Sequence, residues 1–139
     1  MPVIDTTHDH ARPDRALWPA MLRGMKCRCP ACGEGKMFRA YLKVADTCPN
    51  CGEELFHHRA DDAPPYLVIF ILGHILVGIM LKLEMSMTVP PGFYLWTMIP
   101  LTIVGSLLML PPTKGAVVGL QWAKRMHGFD PVRPDEGNQ

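Results

Sequence analysis

Charge is what this sequence has least of, and its distribution matters more than its amount. Asp, Glu, Lys and Arg make up 19% of the 139 residues, and between Tyr66 and Leu110 the only charged residues are Lys82 and Glu84. That excludes a disordered chain, which needs high charge and few apolar groups. It also argues against an ordinary soluble domain, because 45 nearly charge-free residues in so short a chain leave too little polar surface to cover them. A basic excess is absent too: the formal net charge is +1, so no global field points to nucleic acid. Three Trp, three Tyr and five Phe are too few for a platform of stacked bases. There is no nucleophile–base pair, glycine-rich phosphate loop or H-E-x-x-H sequence, and the neighbouring Asp61 and Asp62 do not make a paired-carboxylate cleft. No enzymatic activity is expected. The polar, proline-broken first 26 residues show no basic segment followed by an apolar run, so the expectation is an uncleaved N-terminus that stays on the side of synthesis.

What is present falls into blocks. In the arm 1–26, Asp14 is placed to cap a short helix whose Leu17, Trp18, Met21, Leu22 and Met25 share one stripe. That stripe either packs on its own domain or lies on a membrane surface. Residues 27–58 form a turn-rich unit carrying every cysteine, and 59–65 read as a charged, proline-locked linker. Tyr66–Val89 and Phe93–Leu110 then give two apolar runs of 24 and 18 residues, about 36 and 27 Å as helix, enough to cross a ~30 Å hydrocarbon core. Pro90, Pro91 and Gly92 turn between them, Pro100 kinks the second, and Pro111 and Pro112 close it. A helical hairpin buried inside a soluble complex is the alternative. Of the 14 Lys and Arg, nine precede Tyr66, one lies between the runs and four follow, which predicts both termini in the cytoplasm. Within 111–139, Lys114–His127 reads as an amphipathic helix, on the membrane or under the cysteine unit, ahead of a frayed end.

The cysteines carry the clearest chemistry. Cys29-Pro-Ala-Cys32-Gly33 and Cys48-Pro-Asn-Cys51-Gly52 are two C-x2-C pairs 15 residues apart, inside the spacing of a structural zinc site. A two-residue gap lets both thiolates of a pair face one ion, and the glycine after each pair permits a left-handed turn that brings backbone N–H groups to the sulfurs. Four thiolates leave no open position, so the metal is expected to be structural: zinc, with iron the other ion that suits such a site. Two disulfides would conflict with a cytoplasmic unit, and a redox pair would need a perturbed thiolate at a helix start. Cys27 is the odd thiol, either spare or exchanging with Cys29 as a ligand. His57 and His58 fall at the joint with the first apolar run. The expected fold is thus a small zinc-ribbon-like metal knuckle domain on a mostly α, two-span transmembrane hairpin.

The run CRCPACGEGKMFRAYLKV, then CPNCG, then HHRADDAPPY ahead of an apolar run carrying Gly73-His74, resembles a small bacterial membrane protein family labelled domain of unknown function 983. The resemblance covers roughly residues 22–127 and implies a cysteine knuckle domain with two spans in the bacterial inner membrane. It also implies a link to haem–copper oxidase assembly, with an oxidase or its assembly factors as the membrane partner. On this reading Arg59, Asp61, Asp62, Pro64 and Pro65 form a docking element at the membrane joint, against the plainer reading of a solvated linker whose acids face a helix N-terminus. His74 lies near mid-membrane and is expected to face the second span, hydrogen-bonding near Thr102 or Ser106. Copper or haem handling through His74 or through Met80, Met85 and Met87, and thiol redox chemistry, are the alternative functions.

Overall fold

The computed structural model describes residues 15–57, 62–126 and 129. Its elements in chain order are α1 (Leu17–Met25), β1 (Phe38–Ala40), β2 (Lys43–Val44), α2 (Ala63–Ser86) and α3 (Pro91–Ala123). The two short strands pair antiparallel, Phe38 opposite Val44 and Ala40 opposite Lys43, around a turn in which Leu42 takes a positive φ of 58°.

α2 starts three residues before the expected Tyr66, because Pro64 and Pro65 occupy its first turn, where a missing N–H costs nothing. Its Pro64, Val68 and Leu72 are buried at i, i+4, i+8, forming the face that meets α3. Beyond Leu72, among the described residues, no α2 side chain is buried. The most apolar 18-residue windows of α2 and α3 have mean hydropathies of 2.3 and 1.8 and are 6% and 0% buried. Both helices are long and apolar enough to cross a membrane, and their bareness is not that of helices enclosed in a soluble core.

The largest departure from expectation is α3. It was expected to stop at Leu110, with a separate helix from Lys114; instead 33 residues run unbroken through Pro100, Pro111 and Pro112. The reason lies in where the interrupted hydrogen bonds go. Pro111 has no N–H for the Leu107 carbonyl, and the Tyr41 hydroxyl, on the turn between β1 and β2, donates to that carbonyl at 2.6 Å. The helix hydroxyls of Thr102 and Thr113 bond Met98 O and Met109 O, which are not the carbonyls left without a donor by the prolines. The continuous helix carries Val118 into the core of the cysteine unit, where it is fully buried with Cys29, Met37, Val44, Cys48 and Leu55. The expected division at residue 111 therefore does not hold, since the far end of α3 completes the knuckle core.

α1 packs on this same end of α3, by its small residues rather than its apolar stripe. Ala20 and Gly24 are its buried positions, while Trp18, Leu22 and Met25 stay exposed. A Cβ on Gly24 would sit 2.0 Å from the Gly115 carbonyl oxygen, and one on Gly119 would sit 2.5 Å from that of Ala20. The helices thus cross at backbone contact, as small-x-x-x-small pairs allow. Asp14 lies outside the described residues; the position ahead of α1 is Ala16, with no side-chain cap.

Tyr41→Phe should destabilise the protein by about 1 kcal/mol, the usual net worth of a hydrogen bond, in denaturant titrations in detergent. In a Pro111→Ala background, where an N–H returns to Leu107, that cost should vanish. Equal costs in the two backgrounds would disprove the compensation.

Candidate metal centre

The two knuckles adopt the same backbone solution. In each, the N–H of the glycine after the pair returns to the carbonyl of the first cysteine, Gly33 to Cys29 at 2.8 Å and Gly52 to Cys48 at 3.0 Å. Those glycines have φ of +75° and +74°, the left-handed conformation that their sequence positions imply. A β-bridge closes each loop, Arg28 with Lys36 and Thr47 with Glu54. The β1–β2 hairpin separates the loops and folds one over the other.

This brings Cys29, Cys32, Cys48 and Cys51 together with every pair of Sγ atoms within 4.8 Å. Cys29 Sγ lies 3.7 Å from Cys51 Sγ, and Cys32 Sγ 3.8 Å from Cys48 Sγ. These contacts are far beyond a disulfide bond, and all five cysteines are free thiols. They match a metal tetrahedron, whose edge for a metal–sulfur bond of ~2.3 Å is about 3.8 Å. The donor set therefore fits a four-coordinate metal ion.

The surroundings favour thiolate at one corner. The Gly35 N–H points at Cys32 Sγ at 3.4 Å, and with the Glu34 N–H and the Asn50 amide it lowers the Cys32 thiol to about 6. Burial pushes Cys29 the other way, well above the ordinary thiol range. Gly35 has a second duty: a Cβ there would lie 2.2 Å from Cys48 Sγ. Outer contacts tie both knuckles to the helices. Arg23 of α1 donates to the Pro30 and Ala31 carbonyls, each at 3.1 Å. Glu53 accepts from Trp122 Nε1 at 2.8 Å and lies 3.9 Å from the Arg15 guanidinium, which stacks 4.3 Å from the Trp122 ring centre. Trp122 is thus tied to the cysteine unit through Glu53.

Residues 38–122 match the family model described as Protein of unknown function (DUF983). The chain belongs to this family. The match spans more than half of it, starting after the first knuckle, so it is narrower than the 22–127 expected from the motifs. No curated protein and no solved structure matches the chain.

The other candidates of this DUF983 chain are placed differently. Cys27 stays out of the cluster: at φ 58° it turns the chain out of α1, and its carbonyl accepts from Met37 N–H. Its thiol is raised by burial. His57 pairs with Glu54 Oε2 at 2.9 Å, while His58, Arg59 and Asp61 lie outside the described residues. Asp62 precedes α2 without making a side-chain cap, and Pro64 is buried whereas Pro65 is exposed. Among the described residues, the expected hydrogen bond of His74 near Thr102 or Ser106 is not formed. His74 is exposed, its Nδ1 meets the Phe70 carbonyl at 2.6 Å, and its ring packs 4.4 Å from that of Phe70. Ser106 likewise bonds within its own helix, to Thr102 O. The side chain facing α3 is Leu72, against Gly105, and two residues on a helix rotate His74 by about 200° away from it. Of the methionines, Met80, Met85 and Met87 are all exposed. The contributions of Arg15, Arg23, Gly35 and Tyr41 were not anticipated. Only for Tyr41 was there a sequence signal, namely that Pro111 leaves a carbonyl in need of a donor.

Two outcomes follow for the centre. Gly35→Ala should weaken metal binding about 10–100-fold in chelator competition, the usual cost of disturbing a ligand's support. Because Cys32 is already ionised above about pH 6, metal binding near pH 7.5 should release fewer than four protons, rising to four as the pH falls below that value. Calorimetry in buffers of different ionisation enthalpy reads this number. Release of all four near pH 7.5 would show that the first knuckle does not form before the metal arrives.

Proposed function

We propose that this DUF983 protein is a non-enzymatic accessory factor of a bacterial inner membrane, with α2 and α3 as its two spans and both termini in the cytoplasm. The ion is zinc, held in a zinc-ribbon-like unit as a structural element. The observation that carries this reading is the closed set of four sulfurs. A site with no open position folds a small unit, contributing an apparent ~10–16 kcal/mol, but offers no place for substrate. The lopsided Lys and Arg count supports the orientation. The knuckle unit and the joint with Arg59, Asp61 and Asp62 then face a membrane protein partner. The family resemblance suggests a respiratory haem–copper oxidase or one of its assembly factors. Nucleic acid is not a partner on this reading.

The test is an affinity capture of the native protein in detergent, with metals and co-purifying proteins measured on the same sample. One zinc per chain together with oxidase subunits or assembly factors is the expected outcome. Copper or haem bound in the absence of a protein partner, and lost in His74→Ala or Met85→Ala with zinc retained, would replace this reading with metal or haem handling.

A further inference from the structure

The tip of the β1–β2 hairpin and α3 border an open cleft of about 310 Å³, at the small end of the range for ligand pockets. Arg39, Tyr41, Lys43, Asp46 and Lys114 line it together with Leu42 and Val44. Three cations stand against one carboxylate, whose Oδ2 lies 3.8 Å from Arg39 Nη1. The Lys114 ammonium donates to the Leu42 carbonyl at 2.8 Å. Tyr41 reaches Leu107 O on the same helix. From Leu107 to Lys114 α3 rises about 10 Å, so the cleft spans the passage from the exposed apolar turn of Leu107 and Leu108 to the first cation beyond it. Where an apolar helix leaves a bilayer, that passage is the level of lipid headgroups.

We propose that this cleft binds a phosphate group, presented by the headgroup of an anionic membrane lipid or by a soluble phosphoester. Arg39 offers a planar fork suited to two phosphate oxygens, and Lys43 and Lys114 add point charges on either side. Asp46 competes for Arg39, so it sets the affinity from inside the cleft. The lipid source rests on the reading of α2 and α3 as membrane-crossing.

The experiment uses the full chain. Carbonate-resistant association with phosphatidylcholine vesicles tests the membrane reading alone, and its failure would remove the lipid source without touching the cleft. Native mass spectrometry from detergent then compares retention of phosphatidylglycerol, phosphatidylcholine and inorganic phosphate. Selective retention of phosphatidylglycerol is expected, falling about 30-fold in Arg39→Gln/Lys43→Gln and unchanged in Lys26→Gln. Asp46→Asn should tighten retention, an effect opposite in sign to any loss of fold. Metal content must stay at the wild-type level in each variant. Retention of inorganic phosphate with the same mutational pattern and no lipid preference would support the site and assign a soluble source. Equal retention of both lipids with no bound phosphate, or an Arg39→Gln/Lys43→Gln variant that behaves as wild type, would overturn the proposal.

Discussion

The carbonyl of Leu107 is the point on which the architecture turns. A helix that loses two consecutive N–H donors at Pro111 and Pro112 ordinarily ends there, and the part beyond would be free to settle elsewhere. With Tyr41 supplying a donor from outside, α3 continues for three more turns. One continuous helix then serves two settings, a bare apolar length and an end that is itself part of the cysteine unit. Val118 is as deeply buried in that unit as Cys29 is, and Gly115 and Gly119 receive α1 at backbone contact. The knuckle unit cannot tilt on α3 without exposing Val118 and breaking the bonds made by Tyr41, Lys114 and Trp122.

The same arrangement explains why so little chain suffices for the unit. Its buried side chains are few, and a chain segment of this size does not close a stable core by apolar contact alone. Two outside sources make up the difference. α3 supplies a finished, rigid wall. Four sulfurs at tetrahedral spacing supply a site whose occupation by a metal joins the two knuckle loops that the hairpin separates. The asymmetry between Cys32 and Cys29 fits this division. The Cys32 sulfur sits under N–H groups of its own loop, so its charge is stabilised locally, while the buried Cys29 needs the cation to be a thiolate at all.

What the sequence made legible, and what it did not, follows from the range of the interactions. The knuckles were readable because their determinants are local: a two-residue gap and a glycine with positive φ act within five residues. The apolar helices were readable because length and lack of charge are properties of the segment itself. The end of the second helix was not, since the group that rescues Leu107 comes from Tyr41, 66 positions away in the chain. The packing face of α1 was left open for a related reason. Its large residues at helical spacing suit either a buried stripe or a membrane surface, and its partner within the protein is backbone, which selects Ala20 and Gly24. For His74 the depth was estimated without the rotation. The buried face of α2 is fixed by Pro64, Val68 and Leu72, and His74 belongs to the opposite side.

With its small residues committed to α3, α1 has its large apolar residues turned outward. Met21 and Met25 line a groove of about 350 Å³ with Leu67 and Ile71 of α2 and Met109 of α3, and Trp18 and Leu22 are exposed beyond it. The arrangement divides one nine-residue helix into an anchoring face and an apolar outer face. Arg23 joins both to the metal centre, because the guanidinium that leaves α1 holds the two carbonyls between Cys29 and Cys32. A force applied to the outer face of α1 therefore meets resistance at the first knuckle, and loss of the metal would loosen the carbonyls that hold Arg23. α1, the far end of α3 and the sulfur cluster are thus tied together, while the outer end of α2, with no buried side chain beyond Leu72 among the described residues, meets α3 through the hydrogen bond of Tyr94 to Glu84.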